Sequence, residues 1–333
     1  MASRSADMAR AYWATGPLEG EIREAALVAP RPGEVLVRTL FTGISRGTEA
    51  LVATGGVPAS QHARMRCPFQ EGDFSFPVKY GYCAVGLVEE GPAELVGRLA
   101  FCLHPHQTRF VVPAGSVVAL PDGVPAGRAV LAANMETALN GLWDGGALPG
   151  DRVAVIGAGV VGALVAWIAG RIPGTEVVLA DLDPAKSKVA DALGVAFARP
   201  GELPGGNDLV VEASGSGEAL AGTLALAGDE GTVLALGWYG GTAPALPLGE
   251  DFHSRRLRLV SSQVGMVAAA RRARWSTGRR LEKALALLRE PALDILISGE
   301  SDFAELPSVM RRLAGGPGGT LCQRIRYDEA PSS

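Results

Sequence analysis

Short runs of alternating apolar and polar positions fill the first third of the chain, and longer apolar stripes spaced three and four apart take over after Pro125. Residues 34–41, EVLVRTLF, put Val35, Val37, Thr39 and Phe41 on one side of an extended segment, with Pro30, Pro32 and Gly33 turning the chain before it. Further β-prone runs at 83–88, 97–103, 109–112 and 116–120 are separated by Gly and Pro, which predicts a mostly β first third. AGRAVLAANMETALNGLWDGG, from Ala126, then reads as a helix stopped by a glycine pair. From there strands at 153–157, 176–181, 208–214 and 231–237 alternate with helices at 160–171, 184–193 and 218–227. That alternation predicts a parallel sheet covered by helices. Helices at 280–289 and 305–313 and a strand at 321–325 are expected in the tail, and DEAPSS, 328–333, reads as disordered.

A chain of 333 residues exceeds what one hydrophobic core usually organises, so more than one domain is expected. With 47% hydrophobic and 20% charged residues, 44 Gly and 22 Pro, the composition suits a globular α/β protein and excludes a disordered chain. A net charge of −4 supplies no general basic field, so neither nucleic acid nor an anionic membrane is the expected partner; a small molecule is. The opening residues lack the basic-then-apolar order of a secretory signal, and no run reads as a membrane span, so a cytoplasmic location is expected. Four cysteines without C-x-x-C spacing read as buried thiols.

GAGVVG, Gly157 to Gly162, follows an apolar strand and opens a helix, the context that gives a G-x-G-x-x-G match its meaning. Gly157 allows the tight turn, Gly159 admits a pyrophosphate to the backbone, and Gly162 lets the helix pack on the strand; Val160 and Val161 begin that helix, whose N-terminus faces the phosphates. Asp181 ends the next strand, where a carboxylate accepts from both ribose hydroxyls and repels a 2′-phosphate; no Arg or Lys follows it at once. The expected cofactor is therefore NAD. Ser214, Gly215 and Gly237 end later strands at the same sheet edge and are further candidate cofactor contacts.

FCLHPHQ, 101–107, gathers Cys102, His104 and His106 in a chain with only four Cys and four His. Three readings stay open: a metal site using Cys83, His104 and His106, a packed turn, or His106 as a pocket residue that donates a proton. Two histidines alone supply too few zinc ligands.

TGISRGTE (42–49), YGYCAVGLVEEG (80–91), LAANMETAL (131–139), VAVIGAGVVG (153–162) and EASGS (212–216) together resemble successive landmarks of the medium-chain dehydrogenase/reductase superfamily over nearly the whole chain. The resemblance implies a GroES-like, β-rich catalytic domain beginning in 1–130, a Rossmann doubly wound cofactor domain in 131–270 and a segment, 271–333, mostly returning to the catalytic domain. Zinc-dependent relatives hold their metal at places that read here Ser45, Tyr82 with Cys83, and Ala133, a set that does not suit zinc. The four-cysteine lobe of longer relatives is also missing, and FCLHPHQ takes its place. The resemblance is to the zinc-free branch that includes bacteriochlorophyllide a dehydrogenase, although Cys83, HPHQ and the Arg-rich segment depart from that pattern.

What this implies is hydride transfer between NAD and a secondary alcohol or ketone, with side chains polarising the oxygen in place of a metal. Tyr82 is the first candidate donor, against the alternative of a Tyr packed under the turn. Ser45, Thr48 and Glu49 lie on the turn expected to face the nicotinamide, where Glu49 either relays a proton or caps the following helix. Thr137 is expected to contact the carboxamide, with Glu136 beside it a further pocket candidate. Eight arginines between 255 and 280 suggest either an anionic substrate or a solvated face. A quinone or enoyl reductase and a non-catalytic dinucleotide sensor are the alternative functions. A homodimer is implied only by the family pattern.

Overall fold

The computed structural model describes residues 8–316 and 319–327, so the stretch read as disordered, 328–333, lies outside the described residues. In chain order the first elements are β1 (Met8–Gly16), β2 (Glu19–Ala26), β3 (Glu34–Ile44), α1 (Arg46–Ala53), β4 (Glu71–Gly72), β5 (Val78–Lys79), β6 (Ala84–Glu90), β7 (Leu99–Cys102), β8 (Arg109–Pro113), β9 (Val117–Ala119) and α2 (Ala126–Ala129). There follow α3 (Ala132–Gly145), β10 (Arg152–Ile156), α4 (Val160–Ala169), β11 (Glu176–Ala180), α5 (Ser187–Leu193), β12 (Ala196–Ala198), β13 (Asn207–Glu212), α6 (Gly217–Leu226), β14 (Ala227–Ala235), α7 (Asp251–Ser254) and β15 (Arg258–Ser261). The tail holds α8 (Thr277–Leu287), β16 (Ile297–Asp302), α9 (Leu306–Gly315) and β17 (Cys322–Arg326). No helix among the described residues is long and apolar enough to cross a membrane.

Two compact units divide the chain: one gathers 1–133, Leu285–Arg289 and 297–333, the other Asn134–Ala284 and Glu290–Leu296. The first unit is β-rich, as expected, with a seven-stranded sheet in the order β16-β17-β3-β6-β7-β9, β8 paired to β3, and a four-stranded sheet β2-β1-β5-β4. Its core packs Val35, Val37, Val88, Phe110 and Val112 against the thiol of Cys102. The opening hairpin of β1 and β2 was not legible from the alternation, because its outer strand is mostly exposed and carries four carboxylate or guanidinium side chains, at Glu19, Glu21, Arg23 and Glu24.

The central strand departs from the expected pattern in one place that matters for the site. Thr39 faces Gly86 on β6 and Phe41 faces Val85, so Leu40 is an extra residue in β3 and the pairing bulges there. The inward phase of Val35, Val37 and Thr39 therefore switches, and Thr42 and Ile44 become the buried positions. Phe41, expected on the inner face, lies partly exposed with the guanidinium of Arg324 5.0 Å from its ring centre.

The second unit holds a six-stranded sheet in the order β12-β11-β10-β13-β14-β15, every pair parallel. This is the doubly wound order in which the chain reverses direction of growth between β10 and β13, where carboxyl strand ends leave room for a nucleotide. Apolar residues of β10, β13 and β14 form its core with Leu220 and Leu224 of α6. The single helix expected from Ala126 is two, α2 and α3, interrupted at Val130 and Leu131.

Candidate active site and dinucleotide cradle

In the second unit, the glycine turn is built as the spacing predicts. Gly157 has φ 101°, in the region that favours glycine, and a Cβ there would lie 2.6 Å from the Ser214 amide nitrogen. Gly159 is exposed with open space around its Cα, whereas a Cβ on Gly162 would come within 1.9 Å of the Gly157 carbonyl oxygen. One glycine thus leaves the backbone bare to a ligand and the other lets α4 seat on the turn. Val160 and Val161 form the first turn of α4 and are partly exposed.

Asp181 follows β11 and stiffens this turn from the next strand. Its Oδ2 accepts from the Ala158 N–H at 2.8 Å and its Oδ1 from the Asp183 N–H at 2.9 Å. Each oxygen keeps further lone-pair capacity for a ribose hydroxyl.

Glu212, which the sequence reading passed over, organises the rest of the edge. It is fully buried at the end of β13; Oε1 accepts from the Ser214 N–H (2.7 Å), the Ser214 hydroxyl (2.5 Å) and the Gly215 N–H (2.9 Å). Oε2 accepts from the Tyr239 hydroxyl at 2.5 Å, and burial together with this carboxylate raises the Tyr239 pKa. A Cβ on Gly237 would lie 2.6 Å from Oε2, so that position must stay bare. Ser214, Gly215 and Gly237 are thereby brought together around one carboxylate. An acid closing the apolar run LVVE was the available signal, since a buried carboxylate needs a set of donors. Thr137 lies on α3, partly exposed.

Glu136, nominated beside Thr137, is part of the interior. Its Oε1 accepts from Arg280 Nε at 2.9 Å, and Arg280, 2% exposed, also reaches Asn140 Oδ1 at 2.6 Å and the carbonyls of Met266 and Val264. Burial raises the Glu136 pKa while Arg280 opposes the rise. The rest of the Arg-rich stretch divides: Arg255 pairs with Asp251, Arg256 with Glu230, and Arg279 lies 4.0 Å over the Trp275 ring.

In the first unit, five nominated residues converge at the start of α1. Ser45 is the N-cap, and Glu49, one turn on, accepts from the Ser45 N–H at 2.8 Å through Oε1. Its other oxygen, Oε2, meets His106 Nε2 at 2.9 Å, and both side chains are 1% exposed. Glu49 therefore caps the helix and binds the histidine at once. Burial, Cys83 and Glu49 raise the pKa of Tyr82 while the neighbouring hydroxyls of Ser45 and Thr48 oppose the rise, so Tyr82 remains a neutral phenol. Tyr82 itself is partly exposed.

Two residues absent from the sequence-based candidates extend this group. Thr42 Oγ1 lies 2.6 Å from His106 Nδ1 and 3.2 Å from the Tyr327 hydroxyl. Thr42 reaches His106 because of the bulge in β3. Gly81, with φ 127°, passes so close that a Cβ would lie 2.8 Å from His106 Cδ2.

His104 has a different environment from its neighbour. Its ring stacks 3.8 Å from Phe110, and burial lowers its pKa to about 3, so it is a neutral core residue. Cys83 is buried with its pKa well raised, and burial pushes Cys67, Cys102 and Cys322 up to about 12. No group of three His, Cys, Asp or Glu able to hold a metal occurs among the described residues. Glu49 and His106 are paired with each other, and Ser45, Tyr82 and Ala133 offer no thiolate, imidazole or carboxylate, so this donor set does not fit catalytic zinc.

A putative zinc-binding dehydrogenase from Sinorhizobium meliloti, bound to NADP, superposes with a TM-score of 0.77 at 21% identity over 96% of this chain and 99% of its own. L-idonate 5-dehydrogenase from Escherichia coli superposes with a TM-score of 0.79 at 16% identity over 96% and 99%. The fold is that of the medium-chain dehydrogenases. No protein-family model matches the chain. In sequence, 2-dehydro-3-deoxy-L-galactonate 5-dehydrogenase from Pseudoalteromonas atlantica is 25% identical over 226 residues, 64% of this chain. The match spans 62% of that relative's length, and the named relatives are alcohol or polyol dehydrogenases.

Proposed function

We propose that this chain is an NAD(H)-dependent, zinc-independent dehydrogenase that interconverts a secondary alcohol and a ketone on a small or medium-sized polar substrate. The observation that carries it is that Tyr82 and Ser45, which stand at places where zinc-dependent relatives carry metal ligands, lie together with Thr48 at the start of α1. The polyol names of two similar proteins support the substrate class.

Gly157 to Gly162 would hold the pyrophosphate, Asp181 the adenosine ribose, and Ser214, Gly215 and Gly237 the nicotinamide half. The dinucleotide, when bound, supplies or accepts the hydride. The phenol of Tyr82 donates to the carbonyl oxygen as it gains charge, and Ser45 and Thr48 orient that phenol. Glu49 does not touch the substrate in this reading; it fixes the backbone of the turn that carries Ser45 and Thr48. The departures at Ser45 and Tyr82 support placing the chain with the zinc-free branch of the superfamily. The exposed edge strand β15 suits pairing with a second copy.

The test uses NADH binding by fluorescence, then NADH oxidation with acetoin, cyclohexanone and a 5-ketoaldonate as probes. Turnover is expected on at least one probe, and Tyr82→Phe should lower kcat by about a hundredfold with NADH affinity unchanged. Tight NADH binding with no turnover on any probe overturns the reading in favour of a sensor. Full turnover in Tyr82→Phe removes the phenol from the mechanism.

A further inference from the structure

The hydrogen bonds around His106 run in one direction. A singly protonated ring that faces a carboxylate, which can only accept, carries its proton on Nε2. Nδ1 is then an acceptor, and the Thr42 hydroxyl, 2.6 Å away, must donate to it. Thr42 Oγ1 in turn can accept from the Tyr327 hydroxyl at 3.2 Å. The chain Tyr327, Thr42, His106, Glu49 thus passes each donor toward one carboxylate, whose second oxygen holds the Ser45 N–H. Aligned donors of this kind polarise one another in a low-dielectric interior.

Packing among the described residues reinforces these two hydrogen bonds to the ring. Thr42 is fully buried, His106 1% exposed and Tyr327 5% exposed. The ring lies edge-on to Tyr12, 6.4 Å between centres, and Gly81 closes against Cδ2. The His106 backbone is fixed as well, since its carbonyl accepts from the Tyr12 N–H at 3.0 Å. A packed ring with fixed backbone and two hydrogen-bonding nitrogens has only its tautomer left to decide. Burial raises the pKa of Tyr327, which keeps it a hydroxyl donor.

We infer that Thr42 and Tyr327 are positioning residues: their hydroxyl relay occupies the bare Nδ1 of His106 and pins the ring against Glu49, which in turn holds the backbone of the turn that carries Ser45 and Thr48. The first half stands on the geometry alone, and the second rests on the proposed oxygen-binding role of Tyr82 and Ser45. A purely apolar filling of the same space would bury Ile or Val at position 42. The threonine hydroxyl there reads as a partner for the ring nitrogen that Glu49 leaves bare.

The experiment is nitrogen NMR of the full chain labelled at histidine, with four histidines in all and His106→Gln for assignment. At neutral to alkaline pH, His106 should show a protonated Nε2 and a bare, hydrogen-bonded Nδ1. Thr42→Val keeps the shape and removes the donor; Nε2 should stay protonated against Glu49 while the Nδ1 signal moves to that of a nitrogen without a hydrogen bond, with kcat down roughly tenfold and the KM of the best carbonyl probe within about twofold. Thr42→Ser should restore both readouts, and Tyr327→Phe should shift the Nδ1 signal without exchanging tautomers. A wild-type ring protonated on Nδ1 overturns the proposal, as does an unaltered ring signal in Thr42→Val. A shifted Nδ1 signal with unchanged turnover overturns the coupling to Glu49. Full turnover in Tyr82→Phe, by contrast, sinks the oxygen-binding reading and leaves the ring assignment standing.

Discussion

In the proposed function, Asp181 is the residue on which cofactor choice turns. Its carboxylate already holds the Ala158 and Asp183 N–H groups, so it is ordered before any ribose arrives. An ordered anion there accepts from two ribose hydroxyls and repels a phosphate on one of them. Asp181→Asn keeps an acceptor and removes the charge, whereas Asp181→Ala removes both. NADH affinity should fall about tenfold in Asp181→Ala, since a hydrogen bond to a charged group is worth about 1.5–3 kcal/mol. The ratio of NADPH to NADH affinity should rise in both variants, measured by fluorescence titration. A wild-type preference for NADPH would overturn the assignment. Legibility at this scale was uneven for a physical reason. Asp181 stands at a fixed spacing from a local motif, so its position could be read from the chain. Thr42 and Tyr327 lie 285 positions apart, and nothing local marks either of them.

Elements carry the next level of constraint. The turn between β10 and α4 works because Gly162 lets the helix approach the Gly157 carbonyl within the space of a missing methyl. Gly162→Ala must push α4 outward and misalign the amides that face the pyrophosphate. Overpacking of this kind costs about 1–3 kcal/mol, and the loss should appear both in the urea midpoint and as at least about a tenfold weaker NADH affinity. An alanine variant with both quantities unchanged would show that the helix does not need this seat. The alternating elements of the second unit were legible because each strand and helix keeps its own period. The bulge in β3 was not, because one extra residue leaves the local pattern EVLVRTLF intact and is set by pairing with β6. It decides which face Thr42 takes, and so whether His106 has a hydroxyl at Nδ1.

At the scale of the whole molecule, each unit gathers residues from distant stretches, and buried polar pairs hold such stretches together. Arg280 and Glu136 lie 144 positions apart inside the second unit, and Arg280 also ties down the carbonyls of Val264 and Met266. Removing one partner of a buried pair costs about 3–5 kcal/mol, because it strands the other charge. Arg280→Met should therefore lower the unfolding free energy by that order at neutral pH. The deficit should shrink in acid. Burial already raises the Glu136 pKa, and without Arg280 the rise is larger, so the folded state holds a proton that the unfolded chain releases first as pH rises. Stability of the variant thus falls as pH climbs from the unfolded carboxyl value to the folded one. Urea unfolding at two pH values checks this; a deficit independent of pH would refute it. The same arginine illustrates what sequence could not decide: within an Arg-rich run, solvent, indole stacking and a buried ion pair look alike until burial separates them. By itself the sequence determined the alternation of strands and helices, the glycine turn and the acid that follows it, because these depend on neighbours within a few tens of residues. Only the tertiary structure decided that Glu49, His106, Thr42 and Tyr327 meet, since a hydrogen-bonded chain across three separate segments is fixed by strand register and packing.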